Sequence, residues 1–148
     1  MKKRNKRQDL LREVVRNNNI KTQAELVKIL RKEGYGYTQA TISRDIAELD
    51  IQKQEGGFYA LAEDLHLRRM CIQLVLEMNR VNNLVTVKCQ PGTGPGVGAA
   101  LDNSDLSMSV ASISGDDTVL IITNSDEDAS NLIESVEKIC NKSFSNKD

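Results

Sequence analysis

One segment decides the fold of the first half of this chain: Tyr37-Thr38-Gln39-Ala40-Thr41-Ile42-Ser43-Arg44-Asp45-Ile46. Thr38 is a typical N-cap residue, and we expect a helix from there through about Leu49. At about 100° per residue, one narrow and apolar face of this helix is predicted to be buried. It consists of Ile42, Ile46 and Leu49. The opposite face has small side chains around one arginine, namely Ala40, Ser43, Arg44 and Ala47, with Thr41 and Glu48 at its edge.

That opposite face has the composition of a helix that enters the major groove of DNA. Short side chains let the helix backbone approach the bases, and Arg44 can donate two hydrogen bonds to one guanine. A solvated, alanine-containing helix that contacts nothing is the alternative. The candidate DNA-binding residues are Gln39, Thr41, Ser43 and Arg44 on this helix and Lys53 beyond it.

The flanking sequence predicts two earlier helices and a later β-hairpin. Apolar residues recur at helical spacing in the first helix, at Leu10, Leu11, Val14 and Val15. Thr22-Gln23-Ala24-Glu25 fits a capping box for a second helix that ends near Gly34. Residues 51–54 and 58–61 form two predicted strands joined by Glu55-Gly56-Gly57. Three helices followed by a hairpin predict a winged helix-turn-helix, which we assign to residues 1–64.

Charge is unevenly distributed along the 148 residues. Residues 1–62 contain thirteen Lys and Arg against eight Asp and Glu, so their net charge is about +5, whereas residues 63–148 contain seven against thirteen, about −6. A basic segment of this size favours a polyanionic partner such as DNA. Five basic residues are expected ahead of the first helix as phosphate contacts, or else as a solvated tail: Lys2, Lys3, Arg4, Lys6 and Arg7.

These residues resemble the DNA-binding part of the arginine repressor family. Residues 37–46 are similar to the recognition-helix motif of that family, and Thr22-Gln23-Ala24-Glu25-Leu26-Val27 is similar to its second helix. The resemblance implies that Ser43 and Arg44 contact the bases of the operator.

The second half predicts an α+β domain over residues 65–148, with the element order α-β-α-β-β-α. An amphipathic helix is expected over residues 67–78, followed by a strand over 84–89 and by a helix that a glycine-rich stretch, residues 92–98, leads into. Strands at 110–114 and 119–123 flank a turn, and a helix capped by Ser125 follows. The strand Val119-Leu120-Ile121-Ile122 is apolar on both faces, so we expect one sheet face to pack on another subunit.

Two features of this half are candidates for ligand chemistry. Residues 94–99 fit the dinucleotide pattern GxGxxA, but Pro95 lies inside the loop and the downstream Asp116 lies in a turn, so the pattern is only a weak indication of cofactor binding. The other feature is Gly115-Asp116-Asp117-Thr118. It is either an ordinary tight turn or a pair of carboxylates that would bind a guanidinium at a subunit interface.

The second half also resembles the arginine repressor family. Three motifs match in order and spacing: residues 90–92, 101–106 and 111–118. The resemblance implies a hexamer of two trimers with L-arginine at the trimer interface, contacted by Asp102, Asp116 and Asp117. Pro95 stands where relatives have a glutamine or histidine, and Ser114 stands where they have a small apolar residue or cysteine. Arginine affinity is therefore weakened, or the effector differs, or a paralogous subunit completes the site.

Other function classes find little support in the sequence. Cys71, Cys89 and Cys140 are distant from one another without a CxxC pair, so we expect buried free thiols, no metal site and a reducing cytoplasm. The basic N-terminus has no apolar run behind it, and no stretch is long enough to cross a membrane. The absence of a nucleophile–base pair predicts no enzyme. The remaining alternatives are a family member that acts as a catabolic activator, an amino-acid-binding module acting through protein contacts, and a small nucleotide-cofactor enzyme.

Overall fold

The structure, a computed structural model, describes residues 5–145 and divides the chain into two units, Met1–Ala62 and Glu63–Asp148. The first unit contains three helices followed by a two-stranded antiparallel hairpin, in the predicted order. The helices are α1 (Lys6–Asn17), α2 (Gln23–Lys32) and α3 (Gln39–Glu48), and the strands are β1 (Ile51–Lys53) and β2 (Tyr59–Leu61).

Local capping explains where the first helices begin and end. The hydroxyl of Thr22 accepts a hydrogen bond from the amide of Glu25, and the hydroxyl of Thr38 accepts one from Thr41, as predicted for both N-caps. The carboxylate of Glu25 accepts from the amide of Lys21, one residue earlier than a capping box requires. Gly34 adopts a φ of 94°, which lets the chain reverse after α2 at little steric cost.

The core of the first unit is built from one face of each helix and from the hairpin. Its most deeply buried members are Leu11, Ile20, Leu26, Leu30, Ile42 and Leu61. The predicted inner face of α3 is confirmed, because Ile42, Ile46 and Leu49 are all buried. These contacts fix α3 in the unit through one side only, so its other side remains exposed.

The second unit has three helices and a four-stranded antiparallel sheet in the order β3-β4-β6-β5. Its elements, in chain order, are α4 (Ala62–Leu74), β3 (Val75–Val81), β4 (Leu84–Cys89), α5 (Gly94–Asn103), β5 (Ser109–Ser114), β6 (Thr118–Thr123) and α6 (Asp126–Cys140). The predicted strand over residues 84–89 and the Ser125 cap of the last helix are confirmed. Helix α5 begins at Gly94, so most of the glycine-rich stretch lies inside the helix.

Strand β3 was not predicted, and the helix expected over residues 67–78 is wrong beyond Leu74. A β-bulge between Val75 and Glu77 shifts the register, so Val75 and Met78 both face the core although they are three residues apart. That spacing imitates the period of a helix. The neglected signal is the turn at Asn82-Asn83, where Asn82 has a φ of 53°, as two-residue hairpins often require.

The sheet of the second unit has one buried face, and its other face is largely exposed to solvent within residues 5–145. Val85 pairs with Ile121 and Val87 with Val119 on the buried face, which packs against residues of α4, α5 and α6. The other side, which we call the outer face, contains Val81, Leu84, Ile113, Leu120 and Ile122. Ile113 is 66% exposed and Val81 is 57% exposed. An apolar sheet face of this kind usually has a partner.

Candidate functional site

The exposed face of α3 has the geometry expected of a nucleic-acid contact. Ala40, Ser43, Arg44 and Ala47 are all exposed, whereas the opposite side of the helix is buried. Because the other residues of this face are short, Arg44 is the long side chain at its centre, with Glu48 at the edge, and its guanidinium can form two parallel hydrogen bonds with a planar acceptor. The predicted distribution of side chains on α3 is therefore confirmed, and its use in DNA binding stays a prediction.

The two other candidates on α3 lie in its first turn. Gln39 is exposed, so its amide is available to a ligand. Thr41 is half-buried, and its hydroxyl oxygen lies 3.0 Å from the hydroxyl oxygen of Thr38. Thr41 therefore already takes part in the N-cap, which also orients the start of the helix.

A buried carboxylate that the sequence pattern did not predict anchors α3 to α1. Asp45 is only 1% exposed and accepts hydrogen bonds from Nε of Arg7 and, at 3.0 Å, from its Nη2. The amide of Gln8 donates to Asp45 at 3.3 Å and to Glu48 at 2.9 Å. The hydrogen bond from Arg7 lowers the pKa of Asp45. An aspartate between the core positions of a helix was the available signal, because such a group needs a partner.

Arg7 is thus a structural residue of the first unit. The prediction that Lys6 and Arg7 precede the first helix is wrong, because they form its first turn. The guanidinium of Arg7 contacts Asp45 and also lies 5.8 Å from the centroid of the Tyr37 ring, so it is engaged inside the unit. The other expected phosphate contacts, Lys2, Lys3 and Arg4, lie outside the described residues.

Lys53 lies on the hairpin, where its charge is exposed. Its ammonium lies 5.5 Å from the centroid of the Tyr59 ring on the paired strand. The turn of the hairpin contains Gly56 and Gly57, with φ values of 91° and 84°. These values require glycine and make the reversal tight. The hairpin therefore presents one cation on a short two-stranded element.

In the second unit, the turn Gly115–Thr118, here called the acidic turn, packs directly against the glycine-rich segment. The carbonyl of Asp116 accepts a hydrogen bond from the amide of Gly94 at 2.9 Å, and its carboxylate accepts one from the amide of Gly92 at 3.2 Å. A Cβ atom on Gly94 would lie 2.0 Å from the carbonyl oxygen of Gly115. Only glycine at position 94 allows this approach between two backbones.

The second carboxylate of the acidic turn, Asp117, has two partners in its own chain. Its Oδ2 accepts a hydrogen bond from Nζ of Lys88 at 2.8 Å, and its Oδ1 accepts one from the hydroxyl of Thr118 at 3.0 Å. The contact with Lys88 lowers the pKa of Asp117 and raises the pKa of Lys88. The structure therefore places a cation beside Asp117, whereas the carboxylate of Asp116 bonds to the glycine-rich segment.

The third predicted effector residue, Asp102, lies apart from the acidic turn. It is exposed near the end of α5, eight residues beyond Gly94, which corresponds to about 12 Å of helix rise. Its carboxylate accepts a hydrogen bond from the hydroxyl of Ser112 on β5 at 2.7 Å. One chain therefore presents two separate acidic sites, the acidic turn and the Asp102–Ser112 pair.

Two positions were expected from the resemblance to depart from the family pattern: Pro95 lies within this glycine-rich segment, and Ser114 lies against it. Pro95 occupies the exposed first turn of α5, a position that proline tolerates because the first amides of a helix have no intrahelical partner. Ser114 packs closely on α5, since a Cβ atom on Gly98 would lie 2.0 Å from its hydroxyl oxygen.

The remaining sequence alternatives concern cofactors, metals and membranes. All strand pairs of the sheet are antiparallel, whereas the dinucleotide pattern belongs to a parallel β-α-β unit. The prediction that Cys71, Cys89 and Cys140 are buried free thiols is confirmed. Within residues 5–145, no group of three or more potential ligands is placed to hold a metal ion. No helix in the same range is both long and apolar enough to cross a membrane.

Matches to known proteins cover most of the chain. Residues 1–66 match the family model "Arginine repressor, DNA binding domain", and residues 71–138 match "Arginine repressor, C-terminal domain". An arginine repressor from Bacillus licheniformis is 38% identical over 128 residues, which is 80% of this chain and 86% of the relative. That of Bacillus subtilis is 37% identical with the same coverage. That of Listeria monocytogenes is 39% identical over 133 residues, 83% of this chain and 89% of the relative.

Proposed function

The chain belongs to the arginine repressor family, so it is a DNA-binding transcriptional regulator and not an enzyme, and from that premise we propose that it controls arginine metabolism in response to L-arginine. The DNA-binding part of this proposal is supported most directly by the surface of α3, where Arg44 lies among small exposed residues.

In this proposal the first unit acts as a winged helix-turn-helix. Helix α3 enters the major groove, Arg44 forms a forked contact with a guanine, and Ser43, Gln39 and Thr41 contact neighbouring bases or phosphates. Lys53 lies on the wing, which is the hairpin β1–β2, and contacts a phosphate there. The Arg7–Asp45 pair holds α3 in place from the side opposite the DNA.

The second unit assembles the chain. The outer face exposes apolar side chains that a second copy of the chain would cover, which supports a symmetric oligomer. We propose the trimer and hexamer that the family resemblance implies. In such an assembly, Asp102 of one copy and the acidic turn of another would share one ligand. The distance along α5 between these two acidic sites supports a site completed by more than one chain.

L-arginine is the effector of this proposal because its guanidinium has the charge and the planar donor pattern that Asp116 and Asp117 require. Ligand bound between trimers would favour the hexamer, and several DNA-binding units would then engage paired half-sites together. The location we propose is the cytoplasm, where a bacterium keeps its DNA.

A second candidate within the family has an altered effector or a paralogous partner subunit. Pro95 supports it, because the family resemblance implies a glutamine or histidine at this position, and proline offers neither a side-chain donor nor a backbone amide. Titration with other cationic amino acids, and with a paralogous subunit present, separates this candidate from the first.

The contact of α3 with DNA is tested with Arg44→Ala. We expect a loss of about 1–3 kcal/mol in binding to a palindromic operator and a much smaller loss on a scrambled duplex at the same salt. Arg69→Ala removes an exposed arginine from α4 in the second unit and serves as the matched control. Equal operator affinity of Arg44→Ala and the unmodified chain would instead support a regulatory module that acts through protein contacts.

A further inference from the structure

Lys88 occupies the part of the acidic turn that a cationic ligand needs. Its Nζ lies 2.8 Å from Oδ2 of Asp117, and Thr118 already donates to the other oxygen of that carboxylate. A guanidinium forms its forked contact with both oxygens of one carboxylate. Because Lys88 and Thr118 each already donate to one oxygen of Asp117, Lys88 competes with an incoming guanidinium for that carboxylate.

The sheet also provides a second acceptor for Lys88. Strand pairing places Glu77 of β3 directly opposite Lys88 of β4, and Thr118 of β6 lies on the other side of Lys88. Side chains at such paired positions have Cβ atoms roughly 5 Å apart, within reach of a lysine. The side chains of Lys88 and Asp117 are 46% and 40% exposed, so their ion pair is weak enough to exchange.

We propose that Lys88 is a built-in counter-ion of the acidic turn, which a cationic effector displaces from Asp117 toward Glu77. Without effector, Lys88 neutralises one of two adjacent carboxylates. With effector, the guanidinium takes over that role and Lys88 moves to Glu77. The exchange sets the concentration at which the effector binds. This inference rests on the proposed function, because it concerns the same effector site.

Two substitutions with opposite expected effects test the exchange. Lys88→Met removes the competing cation and should lower the Kd for L-arginine by about 1.5- to fivefold, the range expected for loss of an exposed charge contact. Glu77→Gln removes the alternative acceptor and should raise the Kd two- to fivefold. In the Lys88→Met background, Glu77→Gln should have no effect, because no lysine remains to be accepted.

The measurement is isothermal titration of the full-length chain with L-arginine at low salt, where exposed charges are screened least. Lys28→Met, an exposed position on α2, controls for loss of one positive charge. L-citrulline, which has the shape of arginine without its charge, should bind Lys88→Met no more tightly than it binds the unmodified chain. Thermal unfolding verifies that each variant is folded.

Each outcome has a definite meaning. Tighter arginine binding by Lys88→Met together with weaker binding by Glu77→Gln supports the exchange. If arginine binds the unmodified chain and Lys88→Met binds it equally or more weakly, the counter-ion role is wrong while the effector assignment stands. If neither protein binds arginine, the effector assignment fails and the exchange fails with it.

Discussion

The ion pair between the buried Asp45 and Arg7 is expected to stabilise the first unit, and Asp45→Asn tests this. Asp45→Asn keeps the size of the side chain but removes its charge. It also replaces one acceptor oxygen with an amide group that cannot accept from Arg7. Because Asp45 is 1% exposed, water does not readily replace the lost contact on its side.

The expected loss of stability follows from the number of hydrogen bonds between Arg7 and Asp45 and from how exposed the two side chains are. A hydrogen bond to a charged group contributes about 1.5–3 kcal/mol, and Asn can keep one of the two contacts with Arg7. The side chain of Arg7 is 31% exposed, so water partly solvates its charge after the substitution. We therefore expect Asp45→Asn to lower the free energy of unfolding of the first unit by about 1–3 kcal/mol at pH 7.

The effect of pH on this difference has a definite sign. Arg7 lowers the pKa of Asp45 in the folded state, so the stabilisation is fully present above the ordinary aspartate pKa of about 3.9. It is lost as the pH falls through the lowered folded-state value. The gap between the unmodified chain and Asp45→Asn should therefore shrink as the pH decreases below about 4.

Tyrosine fluorescence during urea unfolding measures this quantity for the first unit alone. The chain has no tryptophan, and its three tyrosines, Tyr35, Tyr37 and Tyr59, all lie in that unit. Glu48→Gln, at an exposed position bonded to Gln8, is the control and should change stability by less than about 0.5 kcal/mol. Equal effects of the two substitutions, or a gap that persists unchanged at pH 3, would refute the reasoning.

Two further predictions concern the second unit. Gly94→Ala should destabilise the second unit by about 1–3 kcal/mol in calorimetry, because the new Cβ would lie 2.0 Å from the carbonyl oxygen of Gly115. Gly96→Ala on the same helix is the control and should be tolerated, because its Cβ meets only the flexible end of a side chain. Ile113→Asp should lower the assembled mass in sedimentation velocity without unfolding the chain, because Ile113 is exposed on the outer face. Asn131→Asp on α6 adds the same charge elsewhere, and an equal loss of mass there would contradict the use of the outer face.

Local signals in the sequence were sufficient for most of the helices. The N-caps at Thr22, Thr38 and Ser125 and the left-handed Gly34 act within a few residues, so their side chains specify the helix ends directly. The two faces of α3 followed from helical periodicity for the same reason.

The missed features depend on geometry that no local pattern contains. The bulge near Val75 gave β3 the spacing of a helix, so periodicity misassigned it. Asp45 pairs with Arg7 across 38 residues, and Lys88 pairs with Asp117 across 29. Such partners become visible only when the fold brings their elements together. The sequence did predict Asp116 and Asp117 as a pair, and the structure added the cation that contacts Asp117.

The most direct test of the account is fluorescence anisotropy of a labelled palindromic operator titrated with the full-length chain, with and without millimolar L-arginine. A scrambled duplex at the same salt concentration controls for binding that is independent of sequence. We predict that arginine tightens binding to the operator and leaves binding to the scrambled duplex nearly unchanged. Operator binding that is the same with and without arginine would contradict the assigned effector, and equal affinity for both duplexes would contradict specific recognition by α3.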